Sequence, residues 1–291
     1  MRPPSHIKIL VPLLLGQALA FEETGVFCGA MFFLLWVYAF FQQAFIVCWN
    51  DYADVAADCQ NQTPMLFGGG SRVVPDGLLE PPALFRAGVL AAILILVLAV
   101  VLGAVFDRPW SAVLMLGGLT LLWMYSFPPI KLNYRGGGEL LQGLGCGVLL
   151  PLVGYYVQVG TLASFPGLIL VPFFIFHFIS SVATAIPDRA ADVRAGKRTI
   201  PVLIGNLRAA WLINGLGLLA LGLTIGLLMA QVSWIIWLLC LAIPSLMLAH
   251  NIAITRQVVD QRGPTFRFGG MVILLAVVYA LGFCINSFAG G

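Results

Sequence analysis

The sequence predicts an all-α fold: a polytopic transmembrane bundle of about nine helices around a lipid-accessible cavity. Three observations lead there. Only 9% of the 291 residues are charged, against about 25% in a soluble domain. Apolar and aromatic residues make up 60%, with a mean hydropathy of +1.00. The few charges are gathered between long uncharged runs. A soluble chain of this composition would leave apolar faces in water. That argues against a water-soluble enzyme, a disordered chain or a nucleic-acid reader, and no nucleic-acid partner is expected.

The uncharged runs give the spans in order: 9–21, 24–50, 87–106, 109–130, 140–187, 209–255 and 268–291. A spanning helix needs about 20 residues, so 140–187 and 209–255 each hold two. Turn signals divide them, Gly160 to Gly167 in the first and Gln231-Val232-Ser233 in the second. The run 9–21 is short, which predicts a helix beginning before Lys8, with the ammonium reaching back to the interface. No extramembrane stretch is long enough to fold alone, so 1–291 reads as one integral membrane domain. The N-terminal run lacks a small-x-small site, so no cleavable leader is expected.

Nine spans segregate the charge. With the N-terminus on one side, that side holds 14 of the 15 basic residues, and only Arg108 lies opposite. The positive-inside rule makes that side the cytoplasm. Glu22, Glu23 and Asp107 fall outside, and the other nine acids are cytoplasmic. The six cysteines show no ligand spacing and the three histidines are far apart, so both sets read as packed residues.

Five of the cytoplasmic acids form two short clusters. The first, Asn50-Asp51-Tyr52-Ala53-Asp54-Val55-Ala56-Ala57-Asp58, spaces Asn50, Asp54 and Asp58 four apart. On a helix continuing the second span they share a face. The second, Asp188 to Thr199, repeats the spacing in Asp188 and Asp192 at the end of the sixth span. Like charges four apart repel, so a compensating cation is expected. Clustered carboxylates with an amide are hard oxygen donors suited to Mg²⁺, which keeps waters and also binds phosphate oxygens. Two same-sided clusters would flank one diphosphate, with Arg194, Lys197 and Arg198 on its remaining oxygens. A carboxylate-lined path for a cation-coupled transporter is the alternative, but the acids sit at span ends.

These residues resemble the UbiA superfamily of intramembrane prenyltransferases, which carry N-x-x-x-D-x-x-x-D after the second helix and D-x-x-x-D after the sixth. Asn50, Asp54, Asp58, Asp188 and Asp192 match position by position. The tail Gly196-Lys197-Arg198-Thr199 and the segment Tyr125-Ser126-Phe127-Pro128-Pro129-Ile130-Lys131-Leu132 are also similar. The resemblance implies Mg²⁺-dependent transfer of an isoprenoid chain from a prenyl diphosphate to a small aromatic acceptor. It implies Asn50, Asp54, Asp58, Asp188 and Asp192 as metal ligands and Asp54, Asp192 and Lys197 as the catalytic centre. Asn50, Arg72, Lys131, Arg194 and Arg198 become candidates for the diphosphate. A bacterial inner membrane is the expected location. Gly147 to Gly160 and Ile186-Pro187-Asp188 resemble dihydroxynaphthoate prenyltransferases of menaquinone synthesis, and the first motif is nearer the 4-hydroxybenzoate branch. A terpene cyclase or non-aromatic prenyltransferase of the same fold remains a further alternative.

Other residues carry weaker expectations. Gly68-Gly69-Gly70 permits tight backbone approach before Arg72. Lys131 and Arg135 flank Tyr134 and also suit topology. Glu139 suits the dipole at a helix start. Tyr125, Tyr155, Tyr156 and Gln158 are candidate cavity residues, and Gly145-Cys146-Gly147 reads as a helix contact. His177, the ionisable group nearest the centre of a span, reads as a packed histidine.

Overall fold

The computed structural model describes residues 3–60, 70–229, 233–259 and 261–289, and every regular element among them is helical. Among the described residues seven helices are long and apolar enough to cross a membrane: Gly29–Ala53, Pro81–Phe106, Gly138–Val159, Gly167–Ala185, Asn206–Leu228, Trp234–Val258 and Arg262–Phe288. A first helix, Pro3–Thr24, and a shorter apolar helix, Ser111–Ser126, complete the series. Taken in chain order, these correspond one to one with the expected spans, first to ninth.

The boundaries differ for physical reasons. Arg86, Arg208 and Arg267 lie inside helices that uncharged runs had placed beyond them. A long cationic side chain lets the helix continue past its charge to the interface. The fourth span stops at Ser126 rather than near 130, because Pro128 and Pro129 donate no backbone hydrogen bond. The two expected divisions fall at 160–166 and between Leu228 and Trp234. Gln231 and Val232 lie outside the described residues.

The outward faces are apolar. On the third span Leu90, Ile93, Val97 and Val100 form an exposed stripe at helical spacing. Such a stripe requires hydrocarbon around it. Inside, two apolar clusters share a seam. One joins the first five spans, through Leu13, Leu35, Ile95, Met115 and Val153. The other joins the first, fifth and later spans, through Leu19, Tyr155, Phe176, Ile213 and Tyr279.

The first and fifth spans therefore hold the two halves together, and glycines let them touch. A Cβ on Gly16 would strike the Pro151 carbonyl, and one on Gly154 would strike the Leu13 carbonyl. Without a hydrophobic force between helices in lipid, such close packing is the attraction available. Gly147, one of the expected contact positions, stands against the Phe174 backbone of the sixth span. The fifth span widens into a π turn over Gly145–Leu149, just before Pro151. A proline removes one donor and crowds the preceding turn, and a π turn absorbs both.

The outer end explains the one exception to charge segregation. The Arg108 guanidinium donates to the carbonyls of Phe106, Asp107, Val157 and Gln158. It caps the last turns of the third and fifth spans, where a cation opposes the helix dipole. Its place is set by capping rather than by topology. Gln158 donates to Gln17 and accepts from the Cys28 amide, joining the first, second and fifth spans.

The seam yields a prediction. Gly154→Leu should lower the detergent melting temperature strongly, by about 1–3 kcal/mol of overpacking. Gly222→Leu should not, since nothing lies within 4 Å of a Cβ there. Equal melting curves for the two variants would show that the seam is not the close contact described.

Candidate active site

A cavity of about 310 Å³ opens at the end of the bundle that carries both acidic motifs. The second, fourth, fifth and sixth spans wall it, with Lys8 and Ile9 of the first. Asn50, Asp54, Asp58, Asp188, Asp192 and Lys197 all line it. Farther in, Ile46, Leu122, Leu149 and Leu150 make the wall apolar.

Local structure brings the first motif to the cavity by a break in the helix. The second span ends at Ala53, Asp54 is a turn residue, and a short helix follows over Val55–Gln60. The hydrogen bonds keep helical spacing across the break: the Asp54 amide donates to Asn50 at 2.9 Å, and the Asp58 amide to Asp54 at 2.9 Å. The shared face therefore survives an interruption of the continuous helix expected. Gly70, with φ +71, has the Asp58 carboxylate packed against its Cα. Close approach of this kind is what the glycine run was expected to permit. Gly68 and Gly69 lie outside the described residues.

The second motif sits on its own short helix, Arg189–Ala195, with Asp188 at its start. The Asp192 amide donates to the Asp188 carbonyl at 2.9 Å. Gly196, at φ +74, ends the helix in the left-handed region that glycine enters without strain. The reversal sends Lys197 into the cavity and leaves Arg198 exposed.

The motifs meet through Lys197. Its Nζ lies 2.9 Å from Asp54 Oδ2 and 3.6 Å from Asp192 Oδ1. These three residues are 5–9% exposed, so the ions are held where water screens them poorly. Tyr134 Oη donates to Asp54 Oδ1 at 3.3 Å, and Thr199 Oγ1 to Asp192 Oδ2 at 3.3 Å. Burial opposes the charge on Lys197, but Asp54 and Asp192 outweigh it and raise its pKa. Burial pushes Asp192 up to about 6, with Asp188 and Asp54 adding to the rise and Lys197 opposing it. The Tyr134 phenol is pushed up to about 12, by burial and then by Asp54.

The other expected cations stand apart. Arg72, Lys131, Arg194 and Arg198 do not line the cavity. Arg72, at φ 61, pairs with Asp76 at 2.9 Å. Lys131 Nζ lies 3.7 Å over the Tyr134 ring. Arg194 and Arg198 are exposed near the mouth. Of the four candidate cavity residues, Tyr125 lines it, whereas Tyr155, Tyr156 and Gln158 pack at the outer end. His177 is a packed histidine, edge-on to Phe173 at 4.6 Å.

Several residues were not legible as part of this site. Thr199 was visible only as the end of a tail and Tyr134 only as a neighbour of two cations. Asp51, off the shared face, is buried and accepts the Ser71 amide at 3.1 Å, tying back the segment before Arg72. Glu139 does more than suit a helix start: it accepts the Ile200 amide at 2.6 Å, fixing the tail of the second motif to the fifth span. Lys8 does not reach back to the interface as expected; it lines the cavity.

A cavity with an acidic mouth, a buried lysine between its carboxylates and an apolar inner wall has the shape and chemistry of a membrane enzyme's active site. The chain belongs to the UbiA prenyltransferase family, whose sequence profile matches residues 9–274. It is 24% identical over 216 residues to the 1,4-dihydroxy-2-naphthoate octaprenyltransferase of Bacillus subtilis, covering 73% of this chain and 67% of that one. It is 26% identical over 222 residues to the digeranylgeranylglyceryl phosphate synthase of Pyrococcus horikoshii, covering 76% and 73%. Its fold matches a UbiA homologue from Archaeoglobus fulgidus bound to DMAPP and Mg²⁺, with a TM-score of 0.68, 19% identity and coverage of 97% and 96%.

The buried ion cluster makes its own prediction. In metal-free buffer Lys197→Met should destabilise the protein, at the lower end of about 3–5 kcal/mol because the cavity admits water. Adding Asp54→Asn should recover part of that loss, since it removes the carboxylate left alone. Melting in detergent with EDTA measures both, and an unchanged melting temperature for Lys197→Met would contradict the geometry.

Proposed function

We propose that this membrane protein transfers an isoprenoid chain from an allylic prenyl diphosphate to a small aromatic acceptor within the bilayer, with Mg²⁺, as in quinone biosynthesis. One observation carries the proposal: both acidic motifs and Lys197 line a single cavity that continues into an apolar interior. The named Bacillus relative acts on a naphthoate, which favours an aromatic acceptor of the 1,4-dihydroxy-2-naphthoate or 4-hydroxybenzoate type. The Pyrococcus relative keeps a non-aromatic acceptor as the alternative to be tested.

The donor set fits a divalent cation. Asn50, Asp54, Asp58, Asp188 and Asp192 offer hard oxygens on two sides of the mouth, and the lysine between them marks a position that demands positive charge. Among the described residues no three His, Cys, Asp or Glu side chains converge to hold a bare ion. Waters and phosphate oxygens would therefore complete the shell of a Mg²⁺ held there. Bound there, Mg²⁺ supplies neutralisation of the negative charge that develops on the leaving diphosphate.

The chain's own groups do the rest. Lys197 is poised to turn from the carboxylates to a leaving oxygen, staying cationic because Asp54 and Asp192 hold it so. Thr199 and Tyr134 fix the two carboxylates in direction. Ile46, Leu122, Leu149 and Leu150 keep water from the allylic carbon, and Tyr125 is the lining aromatic that would steady developing positive charge. Arg72, Lys131, Arg194 and Arg198, outside the cavity lining, are the candidates for the outer diphosphate oxygens. Charge segregation supports a cytoplasmic N-terminus and mouth, and a bacterial inner membrane is the proposed location.

Release of diphosphate from geranyl to octaprenyl donors, with phenolic and naphthoic acceptors, tests the proposal. EDTA should abolish turnover and Mg²⁺ restore it. Asp54→Asn and Asp192→Asn should each lower turnover by about a hundredfold or more, as for loss of a key electrostatic group. Full turnover without metal, or near-normal turnover in both variants, would assign the acids to structure. No diphosphate release alongside ion-coupled flux would favour the transporter.

A further inference from the structure

The cavity has a second polar zone, away from the acids. Along the second span, Gln42 and Tyr38 stand about 12 and 18 Å inside Asn50, at ~1.5 Å per residue. Tyr38 is 0% and Gln42 4% exposed. Among the described residues the Tyr38 hydroxyl and the Gln42 carbonyl oxygen have no hydrogen-bond partner, yet both residues line the cavity. A buried polar atom left without a partner costs stability unless something else satisfies it.

Lys8 lines the same cavity from the first span. Among the described residues no hydrogen bond or ion pair reaches its ammonium. The Cys146 thiol and the His177 ring are its titratable neighbours, and neither is a carboxylate. An intramembrane cation without a counter-ion is costly and signals a function. The acids of the mouth do not answer it: Asp54 and Asp192 are taken by Lys197.

We propose that Lys8, together with the Tyr38 hydroxyl and the Gln42 amide, anchors the acceptor by an acidic group on its ring, a carboxylate in particular. The carboxylate would supply the counter-charge to the Lys8 ammonium. The hydroxyl and amide take up the remaining polar edge of the ring. Held by its acidic group, the ring turns a carbon beside one of its hydroxyls toward the path by which the allylic carbon of the donor arrives. Lys8 is thus a specificity-determining residue, selecting carboxylated over neutral rings. This inference rests on the aromatic-acceptor reading and deepens it.

The test uses the full chain in detergent, with geranyl diphosphate and two acceptors: 1,4-dihydroxy-2-naphthoate and 1,4-dihydroxynaphthalene, which lacks the carboxylate. The wild type should prefer the carboxylated ring. Lys8→Gln should raise its KM by about ten- to a hundredfold, the worth of a charge-assisted hydrogen bond. It should erase the preference and leave the donor's KM within about twofold. Lys8→Arg should retain the preference. Tyr38→Phe, which removes a single hydroxyl, should raise the same KM by a smaller factor, and decides the matter if Lys8→Gln does not accumulate. Equal loss on both rings, or a shift in the donor's KM instead, overturns the inference and leaves aromatic prenyl transfer standing. A wild type that prenylates neither ring, nor any phenolic acceptor, overturns the aromatic reading and the inference with it.

Discussion

The arrangement depends on one buried cation between two buried carboxylates. Lys197 reaches Asp54 of the first motif and Asp192 of the second, more than a hundred residues apart in the chain. Near a membrane, neither motif tolerates its own repulsion, and a shared ammonium relieves both. Everything local serves that meeting. The turn at Asp54, the reversal at Gly196, and the bonds from Tyr134 and Thr199 place three side chains together.

The bilayer sets the second constraint. Helices satisfy their backbones internally, so the remaining question is how they pack without hydrophobic attraction. Glycines at the seam of the first and fifth spans answer it by close approach of backbones. The fifth span then serves both sides. Gly154 packs on the first span, while Gly145, Cys146 and Leu149, in the π turn, face the cavity. Glu139 at its start anchors the tail that carries Lys197. Support of the bundle and placement of the site thus run through one helix.

Much of this was legible in the sequence. Charge depletion and segregation carry the spans, because a charged side chain has few places to go in hydrocarbon. The four-residue spacing within each acidic motif carries their shared face. Spacing says nothing of contacts between distant segments, so the pairing of Lys197 with Asp54 was invisible, as were the parts of Tyr134 and Thr199. Lys8 failed for a related reason. A lysine near a helix end ordinarily reaches for the interface, and only the packing of the first span against the cavity turns it inward. Arg108 broke the topological pattern because capping, a local demand, set its place.

The central claim is that the two acidic motifs form one binding site rather than two acidic rims. Calorimetric titration of the purified protein with inorganic pyrophosphate measures this most directly. The account predicts binding that requires Mg²⁺. It further predicts that Asp54→Asn, Asp192→Asn and the double variant lose similar amounts of affinity, since groups acting as a unit lose most at the first removal. Equally tight binding without Mg²⁺, or losses from the two single variants that simply add in the double, would contradict it.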